Sequence, residues 1–316
     1  GEASQAAQTS HGAEASRAVE TSRAVNDDGG GIMKIVSSGV RVRRAFARWA
    51  LGAGVALTLT AVALAPARAS DEESWTRGTP DFEWAGALKA GQTVEIKGVN
   101  GSVIAGAASG DKVEIRAWKH ARHSDPAQVK IELIPHDGGI TVCSVYPTPF
   151  GSAQNDCEPG EDGHMSTRNN DVQVRYVVRV PAGIAFTART VNGGVTAIGL
   201  SGAVNAHTVN GSVQVVTSGR AEAQTVNGSI SASLGASSWA APIEFQTVNG
   251  RIEISVPNDV NADLEASTVN GTIDSDLPWL VRGKIGRTHM RGTINKGGSP
   301  LRLQTVNGSI HIRSGT

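Results

Sequence analysis

Four letters recur through the second half of this chain. Thr-Val-Asn-Gly stands at residues 190–193, 208–211, 225–228, 247–250, 268–271 and 305–308, and the variant Gly98-Val99-Asn100-Gly101 stands far upstream. A short, nearly fixed period marks a repeat architecture, in which each unit buries its apolar face only against its neighbours. His289-Met290-Arg291-Gly292 is followed by Thr293-Ile294 as Gly271 is followed by Thr272-Ile273, and reads as a worn further copy.

The residues around each copy alternate. Ile243, Phe245 and Thr247 interleave with Glu244 and Gln246; Ile252, Ile254 and Val256 interleave with Arg251, Glu253 and Ser255. Period two with one apolar set is a half-buried strand. The motif's Thr keeps the apolar phase and its Val falls in the polar phase. This predicts a bend that turns Val inward around a corner completed by Asn-Gly, residues that tolerate positive φ.

Two geometries compete. In an antiparallel β-meander each Asn-Gly is a two-residue reverse turn. In a β-solenoid of stacked short-strand coils the corners lie on one another and the asparagines can hydrogen-bond in a ladder. Identical residues at one place in each repeat favour the all-β solenoid. Its corners are then Asn100-Gly101, Asn192-Gly193, Asn210-Gly211, Asn227-Gly228, Asn249-Gly250, Asn270-Gly271 and Asn307-Gly308. Unequal steps become loops at the opposite corner, at Thr217-Ser218-Gly219, Ala236 to Ala241 and Pro257-Asn258-Asp259. Seven coils from Gly193, the worn copy included, would make a rod of roughly 34 Å at a strand spacing of about 4.8 Å. With 38 Gly and 4% aromatic residues, only a thin core of Val, Ile, Leu, Ala and Thr is available.

Upstream, Met33, Lys34 and Arg41 to Arg48 precede an apolar run, Trp49 to Ala65, and Ala67-Arg68-Ala69. This is the layout of an export signal over 33–69, cleaved after Ala69; Arg43-Arg44-Ala45-Phe46 also resembles a twin-arginine motif. Residues 1–32 read as a non-native or disordered extension and are left outside the fold, and 70–92 as a polar lead. Residues 93–180 form a β-rich N-terminal region and 181–316 the repeats. Strands are expected at 93–97, 112–118, 129–134, 139–145 and 171–180. Cys143 and Cys157 flank a long irregular acidic segment, and in an exported chain they read as a disulfide.

Equal numbers of basic and acidic residues, 29 of each, offer no electrostatic reason for nucleic acid or an anionic membrane as partner. Glu222, Glu244, Arg251, Glu253, Asp263 and Glu265 are the candidates for a carboxylate pair, but they alternate with core residues as solvated strand faces do. The histidines form no metal-binding pair, and the acidic segment around Asp156, Glu158, Glu161, Asp162 and His164 fits no calcium loop. Trp75, Trp84, Trp118, Trp239 and Trp279 could stack on sugars if exposed. No catalytic residue, metal or cofactor is assigned and no small-molecule ligand is expected.

The repeats, the leader, Val180-Pro181-Ala182-Gly183, Val256-Pro257 and Leu200-Ser201-Gly202 together resemble the bacterial DUF4097 family of adhesin-like proteins, over residues 90 to 313. The resemblance implies an exported β-strand-repeat protein, periplasmic or extracellular, and not an integral membrane protein once the leader is removed. The reading is non-enzymatic: an extended β face that binds an envelope or surface polymer or protein. The alternatives are a periplasmic structural or regulatory module acting through a protein partner, and a glycan-active β-helix enzyme.

Overall fold

The structure is a computed structural model that describes residues 30–33, 78–277 and 281–315. The export signal from residue 34 on, its cleavage site, Trp75 and Trp279 lie outside the described residues. The fold is all-β. Two large sheets, one of 11 strands and one of 10, face each other, and pairing in both is mostly parallel. We term them the front and back sheets.

Each repeat lays one strand in the front sheet, turns at its corner, and lays the next in the back sheet. The front strands Ala185–Arg189, Val204–His207, Ala221–Gln224, Ile243–Gln246 and Pro300–Asn307 pair in parallel, each with the next. Behind them Val195–Leu200, Val213–Thr217, Ile230–Leu234, Ile252–Val256 and Ile310–Ser314 do the same. Parallel pairing between repeats contradicts the antiparallel meander. Alternate residues of these strands point between the sheets, and Phe186, Val204, Ala223, Phe245, Ile252, Leu303 and Ile312 are wholly buried there. Small and branched side chains suffice because each level needs only a thin filling.

The N-terminal region belongs to the same two sheets. Thr93–Lys97 and Val103–Ala107 are the first level, paired with Ala185–Arg189 and Val195–Leu200. Below it Gly139–Val145 and Gln173–Val180 add one more parallel strand to each sheet. Antiparallel strands close this end: Lys130–His136 in front, Lys112–His120 and Phe82–Ala87 behind. The last of these lies in the stretch read as a polar lead. Gly30–Met33, at the edge of the segment left outside the fold, pairs antiparallel with Met165–Arg168.

At the other end the stack departs from chain order. The corner at Asn307 lies on the corner at Asn249, and Ala262–Asn270 lies on Pro300–Asn307, so the later copy sits beneath the earlier one. His289–Ile294 runs antiparallel between Ala262–Asn270 and Val281–Ile285. The supposed worn copy is therefore the middle of a capping strand and not a corner. Gly292 sits opposite Leu264 within that straight pairing, so its likeness to the motif is two residues of β alternation.

The corners themselves differ from expectation in cause. Of the corner glycines, only Gly101 (φ 120°) and Gly308 (159°) have a positive φ, and no corner asparagine does. Glycine is required by proximity. A Cβ on Gly211 would lie 2.1 Å from the carbonyl oxygen of Gly193, and on Gly228, Gly250, Gly308 or Gly271 it would lie 1.9 Å from that of the glycine one level below. Thr points inward and donates from Oγ1 to the same carbonyls: Thr208 to Gly193 at 2.8 Å, Thr247 to Gly228 at 2.8 Å, Thr305 to Gly250 at 3.0 Å. Val does not turn fully inward at any Thr-Val-Asn-Gly corner: Val226 is 39% and Val269 47% exposed and the others are half-buried, because Thr already holds the inward place. Val99, preceded by Gly98 instead of Thr, is buried.

Candidate functional site

The asparagines form one continuous ladder. Asn192 donates from Nδ2 to Oδ1 of Asn100, Asn210 to Asn192, Asn227 to Asn210, Asn249 to Asn227, Asn307 to Asn249 and Asn270 to Asn307, all at 2.8–2.9 Å. The corner residues named from the sequence thus come together on one edge of the molecule. Their role there is to hold consecutive levels in register, and the register fixes what the neighbouring faces display.

The outer face of the front sheet is the most developed of these. Because inward and outward positions alternate, the residue just before each Thr points out. In successive levels these are Lys97, Arg189, His207, Gln224, Gln246, Gln304 and Ser267, directly opposed from strand to strand. Two residues earlier a second row runs Glu95, Thr187, Asn205, Glu222, Glu244, Arg302 and Glu265. Three glutamines one strand apart and a mixed-charge row beside them make a flat polar strip.

Several charges in and beside this strip are paired. Arg220 pairs with Glu222, Arg302 and Arg291 with Glu265 at 3.8 and 3.4 Å, and Thr293 donates to Asp263. Glu244 has its carboxyl pushed above the usual carboxylate range, first by burial, against the pull of Arg302, with Glu222 adding to the rise. Burial, together with Arg189, pushes His207 down to about 4, so its ring is neutral at pH 7. Of the other candidates, Glu253 lies on the back sheet beside Arg313 at 2.6 Å, and Arg251 follows a corner. The structure does not bring the six named charges to one point.

The first levels of the strip are roofed by residues 146–172. The Cys143–Cys157 disulfide ties this segment to strand Gly139–Val145. Glu95, with 5% of its side chain exposed, accepts from Thr141 Oγ1 and Gly160 N, both at 2.9 Å, and pairs with Arg189 Nε at 3.3 Å. Arg189 also meets Glu161 at 2.5 Å. Lys97 donates to the carbonyls of Glu158 and Asp162 at 2.5 and 2.8 Å, and burial holds its ammonium below the usual lysine range. The acidic segment is thus docked on two cations. Asn155 clasps its base, donating to the carbonyls of Tyr146 and Ser166 and accepting from Ser166 N.

Sequence reasoning missed this network, although a signal was present. Where Gln stands before Thr225, Thr247 and Thr305, the first two levels carry the cations Lys97 and Arg189, and these are the levels that are covered. The described tryptophans are all half-buried. Trp84 and Trp239 lie against the core, and Trp118 donates to Gly78 O at 2.9 Å. Among the described residues no cluster of His, Cys, Asp and Glu could hold a metal ion, and no helix is long and apolar enough to cross a membrane.

No curated protein matches the chain. A crystal structure titled "putative cell adhesion protein" from Clostridium sporogenes aligns at 10% identity, covering 75% of this chain and 100% of that one, with a TM-score of 0.40. A "putative adhesin" from Bacteroides fragilis aligns at 11% identity over 74% of this chain and 96% of its own, with a TM-score of 0.23. The family model described as Toastrack DUF4097 matches residues 160–313. That span holds every complete Thr-Val-Asn-Gly corner, and over it the chain carries a DUF4097 domain of the toastrack type.

Proposed function

We propose that this chain is an exported, non-enzymatic, adhesin-like β-solenoid whose front face binds an envelope or surface polymer by extended contact. The observation that carries the reading is the outward strip. Amides at Gln224, Gln246 and Gln304 repeat at one strand spacing, about 4.8 Å, beside the row of Glu222, Glu244, Arg302 and Glu265. A donor–acceptor array with a single period suits a ligand that is itself periodic, because each added unit finds the same contacts. Two of the strip's carboxylates, Glu222 and Glu265, are paired with arginines, which supports a binding role. The Cys143–Cys157 bond supports placement outside the cytosol, where disulfides persist.

The test is co-sedimentation of the protein with intact cells, isolated cell-wall polymer and outer-membrane vesicles. Binding to the polymer that is lost in the Gln224→Ala, Gln246→Ala, Gln304→Ala triple variant is the expected result. Pelleting with vesicles alone would replace the polymer by a membrane protein partner. Retention by the polymer with the triple variant unimpaired would move the site off the front face.

A further inference from the structure

The level built by Pro300–Asn307 and Ile310–Ser314 is laid last along the described chain, yet it lies inside the stack. Its front strand pairs with Ile243–Gln246 on one side and Ala262–Asn270 on the other. Its back strand pairs with Ile252–Val256 and Ile273–Ser275. The chain therefore leaves the level at Ile243–Val256, passes over one vacant strand width through residues 257–261, and builds the upper level and its capping strands. It then returns through residues 295–299 to fill the gap.

The gap is shaped for this segment. Leu301, Leu303, Ile310 and Ile312 fill the core, each wholly buried. Thr305 Oγ1 donates to Gly250 O, and Thr268 Oγ1 to Gly308 O. Asn307 links the ladder both ways, to Asn249 and from Asn270. Arg302 meets Glu265 above and Arg313 meets Glu253 below. None of these contacts depends on the segment being joined to the same molecule. Along the described chain the segment is tied to the rest only through 295–299.

We propose that this level is a strand-exchange site through which two copies of the chain associate, each placing its residues 300–314 between the other's neighbouring levels. An element that makes the same contacts in cis and in trans, joined by one short hinge, meets the requirement for domain swapping. The hinge sets the balance. In cis it must cross two strand spacings, about 9.6 Å, from the end of His289–Ile294 to Pro300 while the chain reverses direction.

The experiment has two arms. First, the full chain is incubated with a fluorescent peptide of residues 299–315 at temperatures approaching its Tm, then cooled and run on size exclusion. Co-elution is expected, with a Gly308→Ala peptide taken up at least about tenfold less, since its Cβ would meet Gly250 O at 1.9 Å. Second, deletion of Lys296, Gly297 and Gly298 should convert monomer to dimer by sedimentation velocity, and excess wild-type peptide should return it to peptide-bearing monomer. Absence of peptide uptake by the wild-type chain, equal uptake of both peptides, or a folded monomeric deletion variant would each overturn the proposal. Should the deletion prevent folding, the peptide arm on the wild-type chain decides alone.

Discussion

Gly250→Ala is the substitution that best separates the two reasons a glycine can stand at a corner. If the requirement were backbone freedom, alanine at ordinary φ would cost little, at most about 1 kcal/mol. The stacked geometry demands more. The new Cβ would lie 1.9 Å from Gly228 O, 2.5 Å from Gly228 C and 3.1 Å from Ser229 N, all backbone atoms of a paired level. The two levels must part by more than 1 Å locally. That strains the two bonds that join these levels, Thr247 Oγ1 to Gly228 O at 2.8 Å and Gly228 N to Asn249 O at 3.1 Å. Overpacking of about 1–3 kcal/mol and two weakened hydrogen bonds of about 1 kcal/mol each give a loss of roughly 3–5 kcal/mol. In a domain of this size that lowers Tm by on the order of 10 °C. Urea unfolding of the full chain beside an Ala substitution at exposed Gly110, where a Cβ would meet nothing within 4 Å, measures it. A loss under about 1 kcal/mol for Gly250→Ala would refute the close-approach account.

Three further outcomes are expected. Asn249→Val removes one donated and one accepted ladder bond, and because these amides reach water the loss should be smaller, about 1–2 kcal/mol; a cost exceeding that of Gly250→Ala would reverse the assigned roles. Replacing Cys143 and Cys157 by Ser should destabilise the chain by about 3 kcal/mol in the chain-entropy estimate and open the roof over Glu95 and Arg189, which hydrogen exchange at Gly160 N reports; unchanged protection there would show that the ion pairs hold the segment unaided. For His207 the folded pKa, about 4, lies below the ordinary 6.5, so the unfolded chain takes up its proton first. Its stabilising contribution is whole above pH 6.5 and is lost as pH falls from there to about 4. The shift sets a limit of about 3 kcal/mol, and about half remains for a half-buried ring. His207→Gln, which continues the glutamine row, should flatten that part of the stability–pH curve, and parallel slopes for variant and wild type would refute it.

The stacking of corners was legible because the same four residues must meet at one place, and the strand phases followed from Ile243, Phe245 and Thr247. The reason for the glycine was not legible, since a short side chain before a turn reads alike whether the constraint is its own φ or a carbonyl from the next level. Val226 and Val269 misled for a related reason. Hydrophobicity argues for burial and for a bend, but the strand keeps its phase through Thr225 and Thr268, which leaves the following Val on the outer side. The order of levels was hidden altogether, because the copies at 268–271 and 305–308 are near-identical in sequence and pairing between them is equally satisfied either way round. The roof over Glu95 lay in long-range contacts, such as Glu95 to Gly160, which no local period reports.

The asparagine ladder has a direction. Every Nδ2 points toward the first level, where the amide of Asn100 meets Val172 O at 3.5 Å, and every Oδ1 points toward the last, so the amide dipoles add head to tail along the edge. Each bond then polarises the next, and the gain per amide grows with the length of the unbroken row. Substitution at Asn227, which would split the row into two short pieces, should weaken more distant links than substitution at Asn270, which would only shorten it. The edge behaves as one cooperative wire, negative toward Asn270, and its strength is a property of the number of levels and not of any one of them.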